Sequence, residues 1–224
     1  EESVKHVRVS NPLGDVVSAD FAPDAGGGGS LGVRFDGLKR GGFLAPNSNM
    51  VFPGYLLVGV GTPPVTVSPN TFMGLWKDNG NGLKLLARSG DNAPETGATA
   101  SKFDVLPLAP AINASGEVTF LASLAVNASS TPPTTVDNDT GLWSELGSSG
   151  LRILLREGDV IPLVPAPPSP LQVGAFASGA YATAHTGLTT GEAAFAVTLR
   201  DGANLTDTAI LRASISGPAA SAVT

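Results

Sequence analysis

The chain has 224 residues, no cysteine, 42% hydrophobic and only 14% charged residues, and a formal net charge of -6 with a pI of about 4.8. Without cysteine there is no disulfide, thiolate metal site or cysteine nucleophile; Lys and Arg number 13 against 19 Asp and Glu and are scattered, which disfavours nucleic acid and anionic membrane as partners. The length allows one large or two small domains with a real core, and 28 Gly with 18 Pro suit many short strands joined by turns.

In chain order, the opening "EESVKHVRV" has neither an initiating Met nor the charged-then-apolar pattern of a leader, so it reads as a mature chain whose leader has been removed. Sparse Lys with frequent Ser, Thr, Asn and Gly points to an extracellular or cell-surface protein. No apolar run reaches the roughly 18–20 residues that span a bilayer. "SVKHVRVSNPLGD" (3–15) predicts a short strand through Val4, Val7 and Val9, followed by Gly14-Asp15. "FAPDAGGGGSLGVRFDGL" (21–38) reads as a degenerate copy of a unit that is clearer downstream. Its GGGGS string is either a natural Gly-rich turn or an inserted linker; it lacks the G-K-[ST] ending and following helix of a phosphate loop.

The next segment, "LAPNSNMVFPGYLLVGV" (44–60), leads to "GLWKDNGNGLKLLARSGD" (74–91), which has a near-twin in "GLWSELGSSGLRILLREGD" (141–159). Both tryptophans, Trp76 and Trp143, hold the same place in it. Between the twins lie "VLPLAPAIN" (105–113) and, after an "ASG" turn, "EVTFLASLAV" (117–126). Val118, Phe120, Ala122 and Leu124 fall on one face by period-two alternation. Gly116-Glu117, Phe120 and Leu124 recur as Gly191-Glu192, Phe195 and Leu199, and "NDTGLW" (138–143) weakens to "TDTAIL" (206–211). One unit thus predicts four strands, 105–113, 117–126, 140–146 and 151–159, joined by hairpin turns. The fold class expected is all-β: tandem four-stranded antiparallel sheet repeats, propeller-like or a stacked β-sandwich. The divisions expected are 1–42 (N-terminal strand, as donor or clasp, with the degenerate first repeat), 43–104, 105–172 and an incomplete unit at 173–224.

The pattern "PAINASGEVTFLASL…NDTGLW…GLRILLREGD" resembles tandem repeats of large secreted bacterial proteins, often of planctomycete type. The resemblance covers roughly residues 43–212. It implies a β-propeller-like fold without an assigned activity, and it supplies no catalytic residues. The chain departs from it in showing about three readable copies where a closed propeller needs four or more blades.

Residues that carry chemistry are few. The two histidines, His6 and His185, stand alone, and no G-x-S-x-G elbow is present. Glu117, Glu157, Asp159 and Glu192 occupy repeat-equivalent turn positions, which suits service to the repeat better than a glycosidase pair. Asp91 and Asp159, in "RSGD" and "REGD", are expected to close turns through backbone N–H groups, with Arg88 and Arg156 as ion partners. "DNGNG" (78–82) and "VDNDTG" (136–141) offer Asp78, Asp137 and Asp139 as weak Ca²⁺ candidates; neither follows the EF-hand loop. Four N-x-[ST] sequons occur, at Asn113, Asn127, Asn138 and Asn204, and matter only in a glycosylating host.

These readings lead to a non-enzymatic extracellular structural protein, without catalytic residues or cofactor, that self-assembles into an oligomer or filament by β-strand complementation through Val4, Val7 and Val9. The alternative is a monomeric propeller-like binding module for glycan or protein ligands. A carbohydrate-active hydrolase on a β scaffold is the third and weakest reading.

Overall fold

Gly, Pro, Asn and Asp clusters cut the apolar runs of this chain into short lengths, and those lengths form strands. The computed structural model describes residues 8–10, 16–18, 35–37, 43–44, 49–57, 73–78, 82–106, 110–145, 150–161, 170–176, 192–201 and 204–214. Among them the chain is all-β, with antiparallel pairing throughout and no helix.

Four sheets follow one another along the described residues. β1 (Arg8–Ser10) and β2 (Val16–Ser18) form a two-stranded sheet with Val9 opposite Val17. The first large sheet contains β3 (Phe35–Gly37), β4 (Phe43–Leu44), β5 (Met50–Leu56), β6 (Met73–Asp78) and β7 (Leu83–Arg88), in the order β3-β5-β6-β7 with β4 also on β5. The second contains β8 (Ala111–Ile112), β9 (Val118–Ser123), β10 (Thr140–Ser144) and β11 (Arg152–Arg156), side by side in sequence order. The third contains β12 (Gln172–Phe176), β13 (Glu192–Asp201) and β14 (Asn204–Ser214), again in order.

The three large sheets share their registers. Phe52 lies opposite Trp76, Phe120 opposite Trp143, and Phe195 opposite Leu211. Two residues further out, Gly54 faces Gly74, Ala122 faces Gly141, and Val197 faces Ala209. A further segment pairs beside the same position each time, with Phe35 of β3 opposite Leu56, Phe103 in an isolated bridge opposite Leu124, and Val173 of β12 opposite Leu199. The pairing of β6 with β7 shifts register between Leu75 and Trp76, and that of β10 with β11 shifts between Leu142 and Trp143.

The aromatic geometry recurs with the register. Phe35 meets Trp76 edge-on (centroids 4.7 Å apart, 71° between planes), as Phe103 meets Trp143 (5.0 Å, 71°). Phe52 stacks on Trp76 at 6.2 Å and 20°, and Phe120 on Trp143 at 6.4 Å and 23°. Each such pair adds about 0.5–1.5 kcal/mol beyond the area it buries. Both indoles are fully buried, and that of Trp143 donates through Nε1 to Pro94 O at 3.3 Å.

Glycines make room for the rings. A Cβ on Gly141 would stand 2.7 Å from the Trp143 ring, and one on Gly54 would stand 2.8 Å from that of Trp76. A Cβ on Gly74 would collide with Trp76 as well. In the third sheet the indole position holds Leu211, and the small positions hold Val197 and Ala209. Phe176 there reaches Phe195 at 6.5 Å. The bulk lost from the ring is matched by bulk gained beneath it.

Successive sheets meet face to face. The first sheet's Val51, Met73, Leu75 and Ala87 form one core with the second sheet's Ile112, Val118, Phe120, Ala122 and Trp143. Leu142, Leu154 and Leu155, on the opposite face of the second sheet, form the next core with Val173, Phe195, Val197, Leu199 and Leu211 of the third. The aromatic face of the first sheet carries a third cluster of Phe52, Leu56 and Trp76. The first junction also holds an ion pair: Lys77 Nζ donates to both carboxylate oxygens of Glu145, at 2.8 and 2.7 Å, and to Gly116 O at 3.2 Å.

The sequence-derived strand bounds shift in one place. Among the described residues of the first strand expected at 105–113, Val105 O accepts from Ser123 N–H at 2.9 Å and β8 pairs with β9. β3 lies before the expected boundary at residue 43 and belongs to the same sheet as β5.

The matched loss of ring and gain of bulk gives a quantitative expectation. Gly141→Ala and Trp143→Leu, each alone, should destabilise the protein, the first by overfilling and the second by leaving a cavity. Combined, they reproduce the third sheet's Ala209 and Leu211, and the pair should cost less than the sum of its parts by about 0.5–3 kcal/mol in urea denaturation. Additive costs would contradict the account.

Candidate functional site

The densest group of charged and polar side chains among the described residues with shifted ionisation lies where the second sheet hands over to the third. It is built on the "REGD" turn after β11, and the "RSGD" turn after β7 shows its basic plan. In both turns the glycine, Gly90 or Gly158, has φ of +85°, a conformation that costs glycine little. Asp91 N–H bonds Arg88 O and Asp159 N–H bonds Arg156 O, each at 3.1 Å. Each turn then ties its own sheet to the next strand: Gly90 N–H bonds Phe103 O at 2.7 Å, and Gly158 N–H bonds Val173 O at 2.9 Å.

The residue after the arginine brackets the start of the tryptophan strand. Ser89 N–H bonds Met73 O, and Ser89 Oγ accepts from Met73 N–H at 3.1 Å. In the second turn Glu157 N–H bonds Thr140 O, and Glu157 Oε2 accepts from Thr140 N–H at 3.2 Å. A buried carboxyl therefore stands where the first turn uses a hydroxyl. Burial, followed by the charge of Asp139, pushes the Glu157 carboxyl up to about 7, against the opposing pull of the Thr140 hydrogen bond.

The aspartates and arginines divide their roles differently in the two turns. Asp91 pairs with the Arg88 side chain at 2.7 Å. Asp159 accepts the Arg156 backbone N–H, also at 2.7 Å, and burial raises its carboxyl above the usual range. The Arg156 side chain turns instead to the preceding loop, with Nε donating to Asn138 O at 2.5 Å and Nη2 to Thr134 Oγ1 and Asn138 Oδ1 at 3.1 Å each. Burial lowers its pKa, opposed by Asp159, Asp139 and Glu157. From the third sheet, Arg200 donates through Nη2 to Asp137 O at 3.2 Å, and its Nη1 lies 3.7 Å from the Asp137 carboxylate. Arg200 Nε is buried without an acceptor among the described residues.

This arrangement can hold a proton on Glu157 near neutral pH, and it latches one sheet to the next. Asp137 faces Arg200, and Asp139 accepts from Thr140 Oγ1 at 3.2 Å. Asp78 is far along the chain, opposite Met50 and Leu83. Among the described residues no three His, Asp or Glu side chains gather as a metal would need. Val4, Val7, His6 and His185 lie outside the described residues; Val9 sits in β1. Glu117 closes its hairpin by accepting from Asn113 Nδ2 at 2.7 Å. Thr134 and Asn138 on one loop and Arg200 on the third sheet, which complete the latch, were not legible as a group, because Arg200 lies 63 residues beyond Asp137 and meets that loop only when the sheets stack.

Residues 22–213 match a family of unknown function, DUF7453. The chain belongs to that family. No curated protein and no solved structure matches it. The DUF7453 span takes in Phe35, both tryptophans, both Arg-x-Gly-Asp turns and Leu211, and leaves out β1 and β2.

The raised carboxyl fixes a sign for the pH dependence of stability. Glu157 holds its proton more tightly folded than unfolded, so the folded chain binds the extra proton between the ordinary carboxylate range and about pH 7. The stability it lends is present below that window and is lost as pH rises through it. Glu157→Gln keeps an acceptor for Thr140 and removes the titration. The urea midpoint of the variant should fall less between pH 5 and 8 than that of the wild type; parallel pH profiles would contradict the assignment.

Proposed function

We propose that this DUF7453 chain is a non-enzymatic structural protein of the cell exterior, built from tandem copies of one sheet, that self-associates by β-strand complementation. The shared registers and shared aromatic geometry support reading the three large sheets as copies of one unit, stacked as propeller blades or sandwich layers are. The polar groups described above are spent on closing turns and joining sheets. Both tryptophans are fully buried, so neither offers a stacking platform to a sugar, which weighs against the glycan-binding alternative.

The observation that carries the self-association is the third sheet's edge. In the first two sheets the tryptophan strand has a fourth strand beyond it, β7 beside β6 and β11 beside β10. Among the described residues of the third sheet, β14 is outermost. An exposed strand edge is a template for a strand from another chain. The N-terminal segment, with the alternation of a fourth strand and a closing Gly14-Asp15, is the donor.

Sedimentation of the full chain beside a chain lacking residues 1–15 tests this. The full chain should form larger species that the truncated chain does not. Equal masses for the two would contradict strand donation.

A further inference from the structure

We infer that Glu95 is a built-in stop: its carboxylate closes the outer edge of the second sheet to a strand from a second copy of this chain. The inference holds whether or not the N-terminal segment donates a strand to the third sheet.

Among the described residues β11 is the outermost strand of the second sheet, and β10 takes its inner side. Trp143 stands opposite Ile153 and Leu142 opposite Leu155, so Leu154 is the extra residue of a bulge. On either side of the bulge, the N–H groups of Ile153 and Arg156 turn away from β10, and each ends on a carboxylate. Ile153 donates to Glu95 Oε2 at 3.1 Å, and Arg156 to Asp159 Oδ2 at 2.7 Å. A strand added at this edge would have to take these donors for itself. Asp159 belongs to the turn that follows β11. Glu95 comes from elsewhere, 58 residues before Ile153, on the connection between the first and second sheets.

The backbone at Glu95 shows that the side chain has a task. Its φ is +59°, and among the described residues it is the only non-glycine with positive φ. Glycine takes that conformation at little cost and glutamate does not. The turn around it is tied down on both sides. Ala93 N–H bonds Ser101 O at 2.7 Å, Thr96 Oγ1 donates to Ala93 O at 2.8 Å and accepts from Ser101 N–H at 2.9 Å, and Trp143 Nε1 donates to Pro94 O. Strain that the surroundings hold in place points to a use for the strained residue. Beyond the Ile153 bond, Glu95 Oε1 accepts from Arg152 Nε at 3.2 Å. The Glu95 side chain is 44% exposed, and so open an ion pair contributes little stability. Stability alone therefore does not account for a strained glutamate, whereas a cap at the surface stands where another strand would approach. Glycine at this position would keep the turn and lose the cap.

Amide hydrogen exchange and sedimentation velocity test the inference. In the wild type the Ile153 amide should exchange slowly although it lies on an outer edge; exchange at the rate of a free surface amide would overturn the stop. Glu95→Gly should speed that exchange by about ten-fold or more, with near-ultraviolet circular dichroism unchanged. Made in the full chain and in a chain lacking residues 1–15, the same variant should sediment as larger species than its parent. A gain of mass in the full chain alone supports the stop as well, with the N-terminal segment as the strand that enters. Parental mass in both backgrounds would overturn the inference, whatever the exchange rate. Glu95→Gln keeps an oxygen for the Ile153 N–H and should behave as the wild type; association equal to that of the Gly variant would overturn the hydrogen-bonded cap. Equal masses for the full and truncated wild-type chains would remove strand donation and leave the stop in place.

Discussion

An indole ring laid over glycine is the contact on which the rest of this structure depends. Trp76 and Trp143 occupy space that a side chain at Gly74, Gly54 or Gly141 would fill. Each is held on two sides by phenylalanines, one stacked and one edge-on, at nearly the same distances and angles. The contact fixes register, because a slip of one residue would move every side chain of the strand to the other face. It also flattens the aromatic face of the sheet, so that the Leu75 face of the preceding sheet can lie on Trp143. Where the indole gives way to Leu211, Val197 and Ala209 fill the space. One volume rule therefore covers all three sheets.

Stacking sheets creates polar obligations at the junctions, and the chain meets them with different chemistry each time. The first junction buries Lys77 against Glu145, with Gly116 O as an additional acceptor. The second buries Arg156 and Glu157 in a network that draws on Thr134, Asn138 and Asp139. Buried charges with good partners contribute little net stability against an apolar replacement, but removing one partner is costly. Such groups fix how neighbouring sheets are seated. Of the acidic residues that sequence reading weighed as a pair, Glu157 and Asp159 take part in this second junction.

Much of this was legible in the sequence. Period-two alternation placed Val118, Phe120, Ala122 and Leu124 on one face, and all four are buried. The repeated "GLW" located strands β6 and β10, and the all-β, antiparallel class followed from turn chemistry. What escaped was long-range. Phe35 and Phe103 precede the expected unit boundaries, so their part in caging the tryptophans was not visible from the motif. The glycine of "GLW" reads locally as a turn or strand-end residue; only the ring folded back on it shows that it is there for space. The turn arginines look equivalent, yet Arg88 binds its aspartate while Arg156 reaches a loop some 18 residues back, a difference set by what the neighbouring sheet presents.

The most direct test of the central claim is the chemical shift of the glycine α-protons in an isotopically labelled full chain. An indole face lying on Gly74 and Gly141 shields their α-protons, and both should appear well upfield of the ordinary glycine position, with cross-relaxation to the ring protons of Trp76 and Trp143. Substituting either tryptophan by Leu should return only its own glycine to the ordinary range. Glycine α-protons at ordinary shifts in the wild type, without contacts to the indoles, would contradict the ring-over-glycine arrangement and, with it, the shared design of the sheets.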